Sequence, residues 1–225
     1  MSSAVANQLG SPHASRARPV VFVVDDDESV RESLASLISA AGWRAQVFAS
    51  AGEFLARPGI RAASCLVLDV TLPDLNGLEL QERIAVDRHD MPIIFITGHG
   101  SVPMTVKAMK AGAIEFLTKP FRGEVLLRAI GQALERSSAM LHKEAERGAL
   151  RARYALLTPR EQQVMERVVQ GRLNKQIGCE LGISEITVKA HRGRVMEKMA
   201  AQSLPDLVNM AAGLGLAPGD PPTGE

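Results

Sequence analysis

Between Pro19 and Arg136, five short and mostly apolar runs at residues 20–24, 44–48, 65–68, 92–97 and 115–118 alternate with amphipathic stretches at 29–41, 51–56, 78–85, 102–111 and 122–136. No other feature constrains the fold as much. Short apolar runs bounded by turn residues suit parallel strands covered on both faces, and the stretches between them suit the covering helices. The expected class is α/β, a doubly wound parallel sheet. After Thr158 the strand signal stops, and residues 159–169, 174–181, 185–199 and 204–213 read as four helices with short connections, a small all-α domain. Hydrophobic residues make up 46% of the 225 and aromatic residues only 4%, so both cores should be aliphatic.

The expected organisation is a flexible tail at 1–18, an α/β domain at 19–136, a charged helical linker at 137–153, the all-α domain at 154–217 and a second tail at 218–225. A formal net charge of +1 conceals an asymmetry. Acidic residues cluster from Asp25 to Glu28, whereas Lys and Arg concentrate between 151 and 200, so any nucleic-acid contact belongs to the C-terminal part. Cys65 and Cys179 lie in separate segments without metal-ligand spacing and are expected to be small buried thiols. No apolar run approaches the length that spans a bilayer and no signal peptide is visible, so a cytoplasmic protein without membrane contact is expected.

In a parallel sheet, Asp25 and Asp26 fall at the carboxyl end of the first strand and Asp69 at that of the third, where open α/β sheets place their chemistry. Three converging carboxylates repel one another and call for a cation. Magnesium fits best, being a hard ion that takes a few carboxylates and accepts phosphate oxygens. Thr97 ends the fourth strand and Lys119 the fifth. A hydroxyl and an ammonium beside a metal-bound carboxylate make a phosphoryl site. Taken singly, each element has a plain structural reading: Asp25–Asp27 as a helix entry, Thr97-Gly98 as a turn, Lys119-Pro120 as a strand end and Phe116 as core. Their coincidence at consecutive strand ends favours the site.

The runs Val24-Asp25-Asp26, Leu68-Asp69-Val70, Ile96-Thr97-Gly98 and Thr118-Lys119-Pro120 resemble the markers of the receiver domain of two-component systems. The resemblance covers about residues 19–136 and implies five parallel strands in the flavodoxin-like order 2-1-3-4-5. It implies that Asp69 takes a phosphoryl group from a sensor histidine kinase. Asp25, Asp26, Asp69 and the Thr71 backbone carbonyl would hold Mg2+, and Thr97 and Lys119 the phosphoryl oxygens. Phe116 stands at the position of the aromatic switch residue that follows Thr97, where many relatives have Tyr. A phosphatase of the haloacid dehalogenase type would want a second Asp at position 71, which is Thr, so a switch capable at most of dephosphorylating itself fits better than a turnover enzyme.

Farther along, Thr158 reads as an N-cap, Pro159 as the first helical residue and Glu161 as the capping-box partner. A second helix starts at Asn174, Gly182 makes a turn, and Ser184 caps a basic third helix with Ile183, Val188, Val195 and Met199 as its buried stripe. Helix, glycine turn and basic helix form a helix-turn-helix. Leu157-Thr158-Pro159-Arg160-Glu161, Asn174-Lys175 and Thr187-Val188-Lys189-Ala190-His191-Arg192 resemble the C-terminal domain of the FixJ/NarL group, shared with LuxR-type regulators, and the FixJ-like subgroup is most similar. That implies Lys189 and Arg192 facing DNA and Thr187 and Arg194 on phosphates, with His191 packing. A sigma-factor helix-turn-helix is the rival for this half, and the receiver ahead of it argues otherwise.

The whole then reads as a phosphorylation-dependent transcriptional regulator. Its expected partners are a sensor histidine kinase, promoter DNA, RNA polymerase and, on phosphorylation, a second copy of itself. The alternative is a receiver acting through protein contact alone.

Overall fold

The computed structural model describes residues 18–87 and 90–216. Except for Arg18, the expected tails at 1–18 and 218–225 lie outside the described residues. The chain divides into two compact units between Leu141 and His142.

The first unit runs β1 (Val20–Val24), α1 (Glu28–Ala40), β2 (Arg44–Phe48), α2 (Ala51–Ala56), β3 (Ser64–Asp69), α3 (Gly77–Asp87), β4 (Ile93–Thr97), α4 (Val102–Lys110) and β5 (Glu115–Thr118), followed by α5 (Gly123–Ala155). All strand pairs are parallel and the order is β2-β1-β3-β4-β5, the flavodoxin-like order expected. Strand pleating sends alternate side chains to opposite faces. Phe22, Leu66, Leu68 and Phe95 pack with Phe54 of α2, Leu80 of α3 and Ala108 of α4 on one face. Val21, Val23, Val67, Ile94 and Ile96 pack with Leu34 and Ile38 of α1 and Leu126 and Ile130 of α5 on the other.

Register brings the chemistry together. Val24 pairs with Leu68, Asp69 with Ile96, and Thr97 with Thr118, so the residues that follow β1 and end β3, β4 and β5 share one edge. The run of aspartates then divides its labour. Asp27 is the N-cap of α1, its Oδ1 accepting the Ser29 amide at 2.8 Å, and the Ser29 hydrogen bonds hold its carboxyl below the ordinary value. Asp25 and Asp26 stay out of the cap.

The stretch expected as a fifth helix to 136 plus a separate helical linker is one continuous helix, α5. Ser137, where composition turns polar, is fully buried, and its hydroxyl accepts the Ser64 amide at 3.0 Å at the start of β3.

In the second unit α6 (Pro159–Val169), α7 (Asn174–Leu181), α8 (Glu185–Met199) and α9 (Leu204–Gly213) enclose an apolar centre of Val164, Met165, Ile177, Val188, Val195, Met199 and Leu207, against which Leu150 and Tyr154 of α5 also pack. The expected capping box is present at Thr158 and Glu161. Gly182 ends α7 at φ +64°, a left-handed conformation that costs glycine little.

The expectation of two buried thiols needs correction. Cys65 is buried, which pushes its thiol up to about 12. Cys179 is exposed. The short α7 buries Ile177 and Gly178, and the next position turns by about 100° toward solvent.

Candidate functional site

Asp25 follows β1 directly and is fully buried, while Asp26 is exposed and Asp69, the last residue of β3, is buried. One carboxylate oxygen from each lies within 4.8 Å of the others. Lys119 closes the group: its Nζ donates to Asp25 Oδ2 and to Asp69 Oδ2, both at 2.7 Å. The other oxygens are oriented by the backbone, Asp25 Oδ1 accepting the Asp27 amide at 3.0 Å and Asp69 Oδ1 the Thr71 amide at 2.8 Å. Burial pushes the Asp25 carboxyl up, opposed by its bonds to Lys119 and Asp27. For Lys119, burial works against the charged form, but its hydrogen bonds to Asp25 and Asp69 outweigh it and the ammonium sits above its ordinary value. A pocket with buried acids and one strongly held cation suits negative charge arriving with a hard metal ion.

Thr97 ends β4 with no exposure, and its Oγ1 accepts the His99 amide at 3.2 Å. The Lys119 amide bonds the Thr97 carbonyl at 2.7 Å, tying the ends of β4 and β5 together. Phe116 is half-buried, its ring centroid 6.0 Å from that of Phe95. Among the expected site residues Asp25, Asp26, Asp69 and Lys119 are therefore brought together. Thr97 lies at the same sheet edge, and Thr71 holds Asp69 through its amide.

Two glycines were not singled out from sequence. A Cβ on Gly77, at the start of α3, would lie 2.7 Å from the Asp69 carbonyl oxygen, so α3 can seat against the Asp69 backbone only through glycine. A Cβ on Gly100 would lie 2.8 Å from Thr118 Cγ2 and 3.3 Å from Phe116. The signal for Gly77 was available as a glycine opening a helix directly after a turn.

In the second unit α8 buries Val188, Val195 and Met199, with Ile183 packed beside them. Ser184 caps the helix, its Oγ accepting the Thr187 amide at 3.1 Å and lying 2.8 Å from Thr187 Oγ1. Thr187, Lys189 and Arg194 are exposed. Arg192 is half-buried, and its Nη1 donates to Asn174 Oδ1 of α7 at 2.7 Å, so it braces the helix-turn-helix. His191 is half-buried with Nδ1 enclosed, in keeping with a packing role.

Residues 21–131 match the family described as the response regulator receiver domain, and residues 155–211 match the bacterial regulatory proteins of the luxR family. The chain is 48% identical over 203 residues to the response regulator protein TmoT of Ectopseudomonas mendocina, covering 90% of this chain and 92% of that protein. The chain belongs to the response regulator family. It is 44% identical over 199 residues to the transcriptional regulatory protein FixJ of Rhizobium meliloti, covering 88% of this chain and 97% of the other. Among solved structures it is similar to the response regulator StyR, with a TM-score of 0.80 and 46% identity over 87% of this chain and 99% of that one. This response regulator thus joins a receiver to a LuxR-type helix-turn-helix, in the FixJ-like manner, and is a transcriptional regulator. The match at its C-terminal end favours DNA binding over regulation by protein contact alone. Among the described residues no helix is long and apolar enough to cross a membrane.

Proposed function

We propose that Asp69 is the phosphoryl acceptor and that the second unit reads promoter DNA through α8. The observation that carries this is the double hydrogen bond of Lys119 to Asp25 and Asp69, which holds an ammonium where charge on a transferring phosphoryl group develops. In the transfer, an Asp69 carboxylate oxygen attacks the phosphorus of the kinase's phosphohistidine. The O–P bond forms, the N–P bond breaks, and the departing imidazole takes up a proton from water.

Asp25, Asp26, Asp69 and the Thr71 carbonyl are assigned to Mg2+, which supplies charge neutralisation for the phosphoryl oxygens. The donor set supports this, being hard oxygens from three carboxylates at one spot. Thr97 would donate its hydroxyl to a phosphoryl oxygen, and Phe116 would follow it inward by packing alone, since it lacks a phenolic hydroxyl. No side chain at position 71 offers the carboxylate a turnover phosphatase would use, so self-dephosphorylation would be a slow attack by water.

The exposed Val102, Val106 and Met109 on α4 support a homodimer formed on phosphorylation over the face of α4, β5 and α5. A dimer would match two half-sites about one helical turn apart, and RNA polymerase is the downstream partner. Lys189 and Arg194 would meet DNA, Thr187 would position the helix on phosphate, and Arg192 would act chiefly through Asn174.

The test is phosphorylation by acetyl phosphate in Mg2+, read by mass spectrometry and size-exclusion mobility. The wild type should gain one phosphoryl group and become a dimer, and Asp69→Asn should do neither. Phosphorylation of Asp69→Asn to the wild-type extent would end the assignment.

A further inference from the structure

Ile186, at the second position of α8, is 82% exposed, the most exposed large hydrophobic side chain among the described residues. It contributes nothing to the core, which α8 reaches through Val188, Val195 and Met199. A β-branched residue is also not favoured there by helix propensity. An apolar side chain held in water at that place is accounted for by something that covers it.

The neighbours on its face say what. Positions three, four and seven residues on from Ile186 are Lys189, Ala190 and Gly193, all exposed. A Cβ on Gly193 would meet nothing, so the helix there offers only backbone and can approach a surface closely. Arg194, four residues on from Ala190, is an exposed cation beside this strip, and Lys175 in the first turn of α7 is exposed too. Glu185, the acidic neighbour, is the first helical residue and is accounted for by the partial positive charge of the helix start. An apolar and small strip with one central ammonium, flanked by cations, fits the floor of a major groove between phosphates better than it fits a protein surface.

We propose that Ile186 is a specificity-determining residue that covers a thymine C5-methyl group, with Ala190 extending the same apolar strip and Lys189 donating to guanine O6 or N7 next to it. This rests on the reading of α8 as the DNA-reading helix. Neither Ile186 nor Ala190 has a side-chain donor or acceptor, so the methyl is the base feature they can distinguish. Ile186 and Lys189 are separated by about 4.5 Å along the helix, against a rise of about 3.4 Å per base pair. The half-site should therefore hold a thymine within one or two base pairs of a guanine. Arg192, bonded to Asn174, is not among the readers.

The experiment selects binding sites from a randomised duplex library with the full-length protein in Mg2+ and beryllofluoride. Each thymine of the selected site is then replaced singly by deoxyuridine, which removes only the methyl, and affinities are read by fluorescence anisotropy. At one thymine per half-site the replacement should weaken the wild type about fourfold, the value of one buried methyl group. Ile186→Ala should bind the thymine site more weakly and be insensitive to the same replacement. Because Ile186 is outside the core and Ala is the better helix former, Ile186→Ala should unfold at no lower a temperature than the wild type. Indifference of the wild type to every replacement, or undiminished sensitivity in Ile186→Ala, overturns the proposal. A library that enriches no sequence would instead refute sequence-specific reading by α8, and this proposal with it.

Discussion

Replacing Gly77 by Ala places one methyl group where α3 meets the end of β3. The added carbon would lie 2.7 Å from the Asp69 carbonyl oxygen, 3.0 Å from Val70 Cα and 3.3 Å from Phe95 Cε1, whereas ordinary contact begins at 3.4 Å. The helix and strand must separate by about 0.7 Å, the difference between 3.4 and 2.7 Å, and two of the three obstructing atoms are backbone, which cannot rotate away. Overpacking of this kind costs about 1–3 kcal/mol. For a domain of this size that is a fall of roughly 4–12 °C in Tm. Function should suffer beyond stability, because the displaced carbonyl belongs to Asp69, the proposed phosphoryl acceptor, and a shift approaching 1 Å at a reacting group can cost about 100-fold in rate. The assay pairs thermal unfolding with the rate of phosphorylation by acetyl phosphate, measured well below the variant's Tm. Gly148→Ala serves as the control: that added carbon meets nothing, and Ala should stabilise α5 by about 1 kcal/mol without altering the rate. A Gly77→Ala protein that melts and phosphorylates like the wild type would refute the reasoning.

Three further outcomes follow from the same structure. Cys179 should react with iodoacetamide in the native protein at pH 8 while Cys65 reacts only on unfolding, so two equally fast thiols would contradict the packing of β3. Burial alone would raise the Glu161 carboxyl, but its bonds to Lys198 at 2.6 Å and to the Thr158 amide hold it below the ordinary value. The folded-state value is thus below the unfolded one, so this pair stabilises the C-terminal helices above the unfolded value and its contribution is lost as pH falls through the folded one. Glu161→Gln should lose about 1 kcal/mol at pH 7, discounted because Lys198 is a third exposed, and should flatten that acid dependence in a pH series of urea melts. Arg192→Ala should lower stability and show coupling to Asn174→Ala of about 1–2 kcal/mol in a double-mutant cycle. It should change the salt slope of DNA binding by less than Lys189→Ala does; a full-unit change with unaltered stability would make Arg192 a phosphate contact instead.

The sheet was legible because the central strands, buried on both faces, leave unbroken apolar runs: β1, β2 and β5 have the bounds expected, β3 is longer by one residue at each end and β4 starts one residue later. The carboxylates were legible because strand ends in a parallel sheet converge. What escaped was tertiary. Ser137 looks polar and marks a change of composition, yet it is buried against Ser64 and α5 continues through it. Cys179 is a small apolar residue by type, but the short α7 has no third buried position for it. Arg192 looked like any cation on a basic helix, and only the position of Asn174 across the turn reveals its partner. Gly77 needs glycine because of an atom in a different element.

The ion pairs of Lys119 reach back 94 residues to Asp25 and 50 to Asp69. During synthesis the ribosome therefore releases Asp69 well before the lysine that completes its surroundings. A nascent chain extended only through β4 holds Asp25 and Asp69 without the ammonium that bonds both in the finished sheet. The last strand of the sheet to be made is also the one that delivers this lysine, so on the proposed role of Asp69 an unfinished receiver would lack a complete acceptor pocket.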